Sequence, residues 1–338
     1  MKPGYTVQLD LTFQLALQGS FRELALWLPL PQDTPQQQRL ALESDGNHAE
    51  LTLHHDPVHG APMLFVRWPG VQDDPRLTVT TCVETVKAGF DLAQAHADAP
   101  LHDEARRYLA ASAHLPVDGE VRTRAESITH GLVTPVDKLR ALYGWVLTHA
   151  QRRFDVAWCG LGDVPAMLAA GEFCGKCVDI NSLLVALCRA AGLPARTVLG
   201  IRAAPSRFDP VLGASGDVAQ ALHTRAEVYL GGLGWVPADP ADALKLADAG
   251  APDTLQQEVN AYLLGSAEAN WIAYNHARDF QLAPPATGGP LNFFTAPYAE
   301  TDGMPLNIEA GAQGYSIFSR PTGSQVRSGN APIILFEI

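Results

Sequence analysis

Apolar and polar residues alternate along roughly the first ninety positions, which is the two-residue period of a β-strand with one buried face. The clearest run starts at Val7, and every second residue from there to Leu17 is apolar. Turn residues at 31–35 and 44–47 lie between this run and similar ones. Further strands are predicted over residues 23–28, 50–54, 63–68 and 76–86. Several short strands at this spacing indicate an N-terminal antiparallel β-sandwich.

A helical period replaces the strand pattern from about residue 91. Helices are predicted over residues 102–112 and 120–130 and near 254–264. Another begins at Thr134-Pro135, where a capping side chain precedes a proline at the first helical position. Apolar residues at helical spacing also follow Cys177, and Gly192 ends that helix.

Strand patterns return after the Cys177 helix. Residues 195–202 form one predicted strand, and 223–230 and 235–238 form a hairpin around a glycine-rich turn. Short strands are predicted in the tail at 315–319 and 333–338. These elements predict an α+β protein with three parts: an N-terminal β domain (1–95), a core of helices and strands (96–270) and a C-terminal extension (271–338). We expect the extension to pack on the core or on the N-terminal domain.

Composition and charge narrow the classes of function. The chain has 338 residues and a formal net charge of -12, which disfavours a nucleic-acid partner because phosphate binding needs a basic surface. No apolar stretch is long enough to span a membrane. The N-terminus lacks the apolar core of a signal peptide, so we expect a cytoplasmic protein, or an exported one whose signal has been removed. Five cysteines, an odd number, argue against a disulfide framework.

Cys177 stands at the start of its predicted helix, where the helix dipole stabilises a thiolate and lowers its pKa. Gly175, two residues earlier, has no side chain and is predicted to let a substrate approach the sulfur. A thiolate nucleophile also needs a base and a group that orients the base. Folding the predicted hairpin brings Asp239 nearly level with His223, which places an imidazole beside a carboxylate.

Three motifs in this order resemble the transglutaminase-like family. They are Gly175-Lys176-Cys177 with the helix that follows, the strand from His223 to Leu230, and Gly234-Trp235-Val236-Pro237-Ala238-Asp239-Pro240. The resemblance is strongest over residues 135–245, and the whole chain looks like bacterial proteins with a β N-terminal domain. It implies a papain-like core of helices on an antiparallel sheet. It also implies that Cys177 is the nucleophile, His223 the base and Asp239 the residue that orients His223.

The resemblance implies a thiol enzyme that transfers or hydrolyses acyl groups of peptide amides. We expect a peptide or protein substrate and favour hydrolysis, because cross-linking requires a cleft that excludes water. The alternatives are a cross-linking transglutaminase and a non-catalytic binding module on the same fold. Cys174 and Cys177 also form a Cys-x-x-Cys pair, so a thiol-redox protein, or a reversible disulfide that blocks the nucleophile, stays open.

The remaining site residues are weaker candidates. Trp158 and Arg225 are predicted to bind substrate, and the backbone N–H of Cys177 is predicted to stabilise the oxyanion. Trp145, Trp158 and Asn181 are candidates for the second oxyanion donor. Cys159 is interpreted as a packing residue. No second Cys-x-x-Cys completes a zinc site, and Gly160-x-Gly162 is too short for dinucleotide binding, so we expect neither a metal nor a cofactor.

Overall fold

The computed structural model describes residues 4–16, 21–71, 74–96, 101–156, 159–311 and 314–324. The seven α-helices of these ranges are α1 Asp103–Arg106, α2 Glu120–Ile128, α3 Pro135–His149, α4 Val164–Ala170, α5 Cys177–Ala190, α6 Pro240–Asp248 and α7 Asp253–Leu263. The strands are β1 Gly4–Gln14, β2 Phe21–Pro29, β3 Gln37–Gly46, β4 Glu50–His55, β5 Pro62–Val71, β6 Arg76–Val86, β7 Ala88–Gly89, β8 Gln151–Arg152, β9 Cys174–Gly175, β10 Ala195–Arg202, β11 Gly216–Asp217, β12 Leu222–Leu230, β13 Gly234–Ala238, β14 Ser266–Ala267, β15 Trp271–Asn275, β16 Tyr298–Thr301, β17 Met304–Leu306 and β18 Gly314–Ser324. This element order confirms the predicted α+β class. Within the same ranges, none of the helices is both long and apolar enough to span a bilayer.

Two five-stranded antiparallel sheets form the predicted sandwich. One has the strand order β11-β18-β1-β6-β3, and the other has the order β17-β16-β2-β5-β4. Val7 and Phe13 of β1 are fully buried and share one core cluster with Leu26 and Leu64 of the second sheet. The alternating pattern of β1 therefore corresponds to one face packed on a core, as predicted.

Strands from the C-terminal part of the chain belong to both sheets of the sandwich. β18 pairs with β1 over its whole length, from Gly4 opposite Ser324 to Gln14 opposite Gly314. β16 pairs with β2, so the second sheet also combines the two ends of the chain. The other tail strand, predicted at 333–338, lies outside the described residues. The domain boundaries after residues 95 and 270 stay a prediction.

The prediction of a turn at 44–47 is wrong for its first three residues, because β3 runs through Gly46. β3 is an edge strand paired with β6 on one side, and most of its side chains are exposed. A bulge between Arg39 and Ala41 also interrupts its register. An exposed edge strand shows no apolar alternation, which is why sequence periodicity did not reveal it.

The core sheet has the order β13-β12-β10-β15 and is antiparallel throughout. α5 packs against it, and all thirteen α5 residues after Cys177 are buried. Apolar side chains of α2, α3 and α5 join those of β12 and β13 in a single cluster. β15 lies just beyond the predicted boundary at 270 and pairs with β10. The helix-on-sheet core that was expected from the resemblance is thus present.

The predicted hairpin is formed by β12 and β13, with Ala226 opposite Ala238. This register places Asp239, the next residue, beside the part of β12 that contains His223. The chain then turns into α6, which was not predicted from the sequence. Asp239 is the N-cap of α6, and Pro240 occupies its first turn.

Candidate active site

Cys177 is the first residue of α5, and the buried carboxylate of Asp179 holds this end of the helix. Asp179 accepts hydrogen bonds from the backbone N–H groups of Lys176 (2.8 Å), Leu161 (2.9 Å) and Gly162 (2.7 Å). These bonds join the loop before α4 to the start of α5. Since the first amides of a helix have no intrahelical acceptor, the positive end of the helix dipole lies at Cys177.

The structure gives a reason for a glycine at position 175 that was not predicted from the sequence. A Cβ atom at Gly175 would overlap the Asp179 carboxylate, and so would a Cβ atom at Gly160, whose φ is +108°. The absent side chain therefore makes room for this carboxylate. The role of Gly175 in substrate binding stays a prediction.

We expect Asp179→Asn to lower the free energy of unfolding by about 2 kcal/mol, since hydrogen bonds to a charged acceptor are among the stronger ones. An amide keeps one acceptor oxygen for three backbone donors, and its NH₂ group repels the others. Urea unfolding at neutral pH measures the change. The control is Asp253→Asn in the exposed first turn of α7, for which we expect a change below about 0.5 kcal/mol. Equal losses in the two variants would contradict this account of Asp179.

His223 and Asp239 are both almost completely buried and form a direct pair. His223 Nε2 lies 2.7 Å from Asp239 Oδ2. The other carboxylate oxygen, Oδ1, accepts hydrogen bonds from Asn181 Nδ2 (3.2 Å) and from the backbone N–H of Asp242 (3.1 Å). Asp239 thus caps α6 and orients the imidazole at the same time. Because Nε2 of His223 is paired with the Asp239 carboxylate, Nδ1 is the ring nitrogen that can interact with the Cys177 sulfur.

A second carboxylate and a buried cation extend this pair into a network. Asp242 Oδ2 lies 3.4 Å from His223 Nε2, and the other Asp242 oxygen is ion-paired with Arg202. Burial and the Arg202 charge disfavour the imidazolium, but Asp242 and Asp239 outweigh them, so the pKa of His223 is raised. Burial alone would raise the pKa of Asp239, yet His223, Arg225 and Asn181 lower it to about 2. The two carboxylates therefore favour the imidazolium form of His223.

The Cys177 sulfur lies beside a second thiol, that of buried Cys159. Cys159 Sγ is 3.3 Å from the Leu222 carbonyl oxygen, and Cys177 Sγ is 3.8 Å from the Cys159 carbonyl oxygen. The single Cys159 proton can be donated to the Leu222 oxygen or to the Cys177 sulfur. The bond from Cys159 and the contact with His223 outweigh burial and lower the pKa of Cys177 well below its usual value. The same contact and burial raise the pKa of Cys159, so Cys177 is the thiolate of the two.

All five cysteines are free thiols in this structure. Cys188 lies in the core of α5, where burial raises its pKa. Cys174 lies in the short strand β9, which pairs in parallel with β8. The disulfide switch between Cys174 and Cys177 stays a prediction.

Cys177 and His223 line one cavity of about 430 Å³, a volume typical of small-ligand sites. Asp239 does not line it and lies behind the imidazole. The cavity walls also carry Arg152 of β8, Lys176 and Lys245 of α6. The sulfur and the imidazole are thus accessible to a molecule in this cavity, whereas the orienting carboxylate is shielded.

Arg225 does not line this cavity, and its role in substrate binding stays a prediction. Its guanidinium lies over the ring of Trp271, 4.5 Å from the centroid, and its Nε is 3.7 Å from Asp239 Oδ2. It borders a separate cavity of about 580 Å³ instead. Arg225 therefore lowers the pKa of Asp239 from a position outside the cavity at Cys177. The second predicted substrate residue, Trp158, lies outside the described residues.

Two candidates for the second oxyanion donor are engaged elsewhere. The side-chain NH₂ group of Asn181 donates to the Thr224 carbonyl oxygen (2.7 Å) and to Asp239. Asn181 therefore stabilises the Asp239 carboxylate. Trp145 stacks on His149 with ring centroids 4.4 Å apart and does not line the cavity at Cys177. These observations correct both assignments. The N–H of Cys177 stays the predicted donor, because it is the first amide of α5.

One group of possible metal ligands occurs in the part of the chain that the structure describes: His223, Asp239 and Asp242, with ligand atoms within 4.8 Å of one another. A bound cation does not suit this donor set. Asp242 already pairs with the Arg202 guanidinium, and the imidazole is paired with Asp239. The group is better described as an internal ion-pair network.

Comparison with known proteins identifies the family of this chain. The core-domain model of the transglutaminase-like superfamily matches residues 122–240, a segment that contains Cys177, His223 and Asp239. The chain belongs to the transglutaminase-like superfamily. It is 37% identical over 330 residues to an uncharacterized protein of Haemophilus influenzae, covering 90% of this chain and 89% of that protein. A crystal structure from Cytophaga hutchinsonii, proposed to be a cysteine protease, has a TM-score of 0.62 at 14% identity. That match covers 99% of this chain and 95% of the other and shows a shared fold.

Three residues of this transglutaminase-like site were missed or misread in the sequence. Asn181 lies one helical turn after Cys177, and this i, i+4 spacing was the available signal for a shared helix face. Asp242 lies three residues after Asp239 at the start of a helix that was not predicted. Cys159 is buried, as the packing interpretation requires, yet its thiol contacts the sulfur. No local pattern connects Cys159 with Cys177, because a loop and α4 separate them.

Proposed function

We propose that this protein is a thiol hydrolase or acyltransferase that acts on peptide amide bonds through a thioester on Cys177. The observation that carries the proposal is the geometry around one cavity. A sulfur at the tip of α5 and an imidazole hydrogen-bonded to a buried carboxylate at 2.7 Å both face it. The lowered pKa of Cys177 and the raised pKa of His223 favour a thiolate–imidazolium pair at neutral pH.

In the proposed reaction the Cys177 thiolate attacks the amide carbonyl carbon, and the C=O π electrons move to the oxygen. The backbone N–H of Cys177 stabilises this oxyanion. The tetrahedral intermediate collapses, the C–N bond breaks, and His223 gives its proton to the departing amine. The neutral imidazole then accepts a proton from a water molecule, whose oxygen attacks the thioester carbon. The second tetrahedral intermediate collapses, the C–S bond breaks, and the carboxylic acid leaves with the Cys177 thiolate and the His223 imidazolium restored. An amine in place of water would give transamidation.

Hydrolysis is the version that we propose, since the cavity at Cys177 is open to water from the surface and a peptide must enter it. Asp239 supports both steps. Its carboxylate stabilises the imidazolium that forms the thiolate pair, and it keeps the ring oriented while the proton moves. Asn181 and Arg225 support Asp239 in turn.

A trapped acyl-enzyme tests this proposal. We expect a peptide library, quenched with acid within seconds, to leave an acyl group on Cys177 that peptide mapping by mass spectrometry locates. Cys82 is the matched control, because it is a partly exposed cysteine in the sandwich whose pKa is raised by burial. Acylation of Cys82 and Cys177 to the same extent, or of neither with any peptide, would favour a non-catalytic binding module.

A further inference from the structure

The cavity at Cys177 is rich in cations although the chain as a whole is acidic, with a net charge of -12. Its lining includes Arg152, Lys176 and Lys245 in addition to Arg202. The two acidic residues of the lining are Asp217 and Asp242. Asp242 pairs with Arg202, and Asp217 is exposed and accepts a hydrogen bond from a backbone N–H within its own turn. A positive cavity in an acidic protein indicates selection for a charge on the ligand.

The catalytic network does not neutralise these cations. Its negative charges are the Cys177 thiolate, Asp239 and Asp242. They are balanced by three positive groups: the imidazolium of His223, Arg202 and Arg225. After this cancellation Arg152, Lys176 and Lys245 remain, and the other carboxylates near them are the exposed Asp217 and Asp248. These two carboxylates are fewer than the three cations, so an anionic ligand would balance the remaining positive charge.

Arg152 and Lys245 are the two cations placed to meet such an anion. The Arg152 side chain is only 13% exposed, and the carboxylate that contacts it within the described ranges, Asp248, is 3.9 Å from its Nε. Lys245 Nζ donates to the Val211 carbonyl oxygen at 2.6 Å, a neutral acceptor. Burial, followed by the Arg202 charge, lowers the pKa of Lys245 to about 8, and burial also lowers that of Arg152. Both residues line the same cavity as Cys177, so a ligand bound at the sulfur can contact them.

We propose that Arg152 and Lys245 form a subsite for a carboxylate that the amide substrate carries next to its scissile bond. The substrate class is therefore an acidic peptide, in which the carboxylate is an Asp or Glu side chain or a free C-terminus. Lys245 donates to a neutral acceptor, and the Asp248 carboxylate is 3.9 Å from Arg152, so a substrate carboxylate would add a charge-assisted hydrogen bond to each of the two partly buried cations. This inference rests on the proposed function for the cleavage step, but the charge preference of the cavity can be tested without it.

The first test compares two alkylating agents that differ in charge. Iodoacetate carries a carboxylate next to the carbon that the sulfur attacks, and iodoacetamide is its neutral isostere. We expect the ratio of their rate constants at Cys177 to exceed that at free cysteine by at least about tenfold, measured by mass spectrometry at neutral pH and low salt. In R152M/K245M the ratio should fall at least about fivefold. Arg153→Met is the matched control, since Arg153 pairs with Asp155 on the surface and does not line the cavity.

The second test uses peptide substrates and separates the two sources of the carboxylate. One pair of peptides differs by Asp against Asn beside the scissile bond, and another by a free against an amidated C-terminus. We expect kcat/KM to favour one acidic member at least about tenfold, and Arg152→Glu to reverse that preference. Thermal unfolding of each variant shows whether it is folded, and Arg152→Met serves where Arg152→Glu does not fold.

The outcomes for the two proposals differ. Equal reactivity toward iodoacetate and iodoacetamide, relative to free cysteine, overturns the carboxylate subsite whatever the enzyme cleaves. An iodoacetate preference that persists unchanged in R152M/K245M also overturns it, because the imidazolium alone would then explain the preference. If the preference depends on these two residues but no peptide acylates Cys177, the subsite holds and the proposed amide chemistry fails.

Discussion

Cys177→Ala is expected to lower kcat/KM for peptide cleavage by on the order of 10⁴-fold or more, since the variant has no atom that can form the thioester. The sulfur lies at the helix tip and is partly exposed to the cavity, so its removal leaves no large void. We therefore expect the unfolding midpoint to change little while activity disappears. Steady-state kinetics with a fluorogenic acidic peptide measures the loss.

The control for this variant is Cys82→Ala, which removes a partly exposed thiol from the sandwich. It should keep full activity. Residual activity of Cys177→Ala above about one-hundredth of the native value would mean that another group performs the chemistry.

The sequence could predict the parts of the fold that follow a local period. β1 alternates because one face is buried, and α5 shows helical spacing because it packs on the core sheet. The pairing of β18 with β1 could not be predicted, because it depends on contact between the two ends of the chain. β3 was missed for a different reason. Backbone hydrogen bonds pair it with β6, while most of its side chains face water. Backbone hydrogen bonds do not produce an alternation of apolar and polar residues.

In the candidate site, too, the residues with a local sequence signal could be predicted, and the roles that depend on tertiary contacts could not. Cys177, His223 and Asp239 were found because a helix start, a strand and a hairpin each leave a local signal, and the structure brings the three together. Gly175 and Arg225 were assigned to substrate from their positions alone. Their contacts, with the Asp179 carboxylate and with Asp239 and Trp271, join segments distant in sequence. Roles that depend on such contacts follow from tertiary packing and not from spacing.

Asp239→Asn is expected to lower kcat/KM at neutral pH by on the order of 10²-fold or more and to narrow the pH profile from its alkaline side. The native profile should rise as Cys177 loses its proton, at a pH well below that of an ordinary thiol, because the pKa of Cys177 is lowered. It should fall when His223 loses its proton, above the ordinary range of histidine, because the pKa of His223 is raised. Asp239 contributes to raising the His223 pKa, so loss of its charge must move the alkaline limb to lower pH.

Asparagine suits this test because its one amide oxygen can still accept the capping hydrogen bond from the Asp242 N–H, while the negative charge beside the imidazole is lost. The fold is therefore largely kept. The matched control is Asp209→Asn. Asp209 also stands before a proline and caps a short helical turn through the N–H of Val211, but it lies outside the catalytic network. A pH profile of kcat/KM separates the interpretations. If the carboxylate only supports the fold, Asp239→Asn lowers the whole profile without moving either limb, and stability falls with activity. If it raises the pKa of the base, the alkaline limb moves in Asp239→Asn and stays in Asp209→Asn.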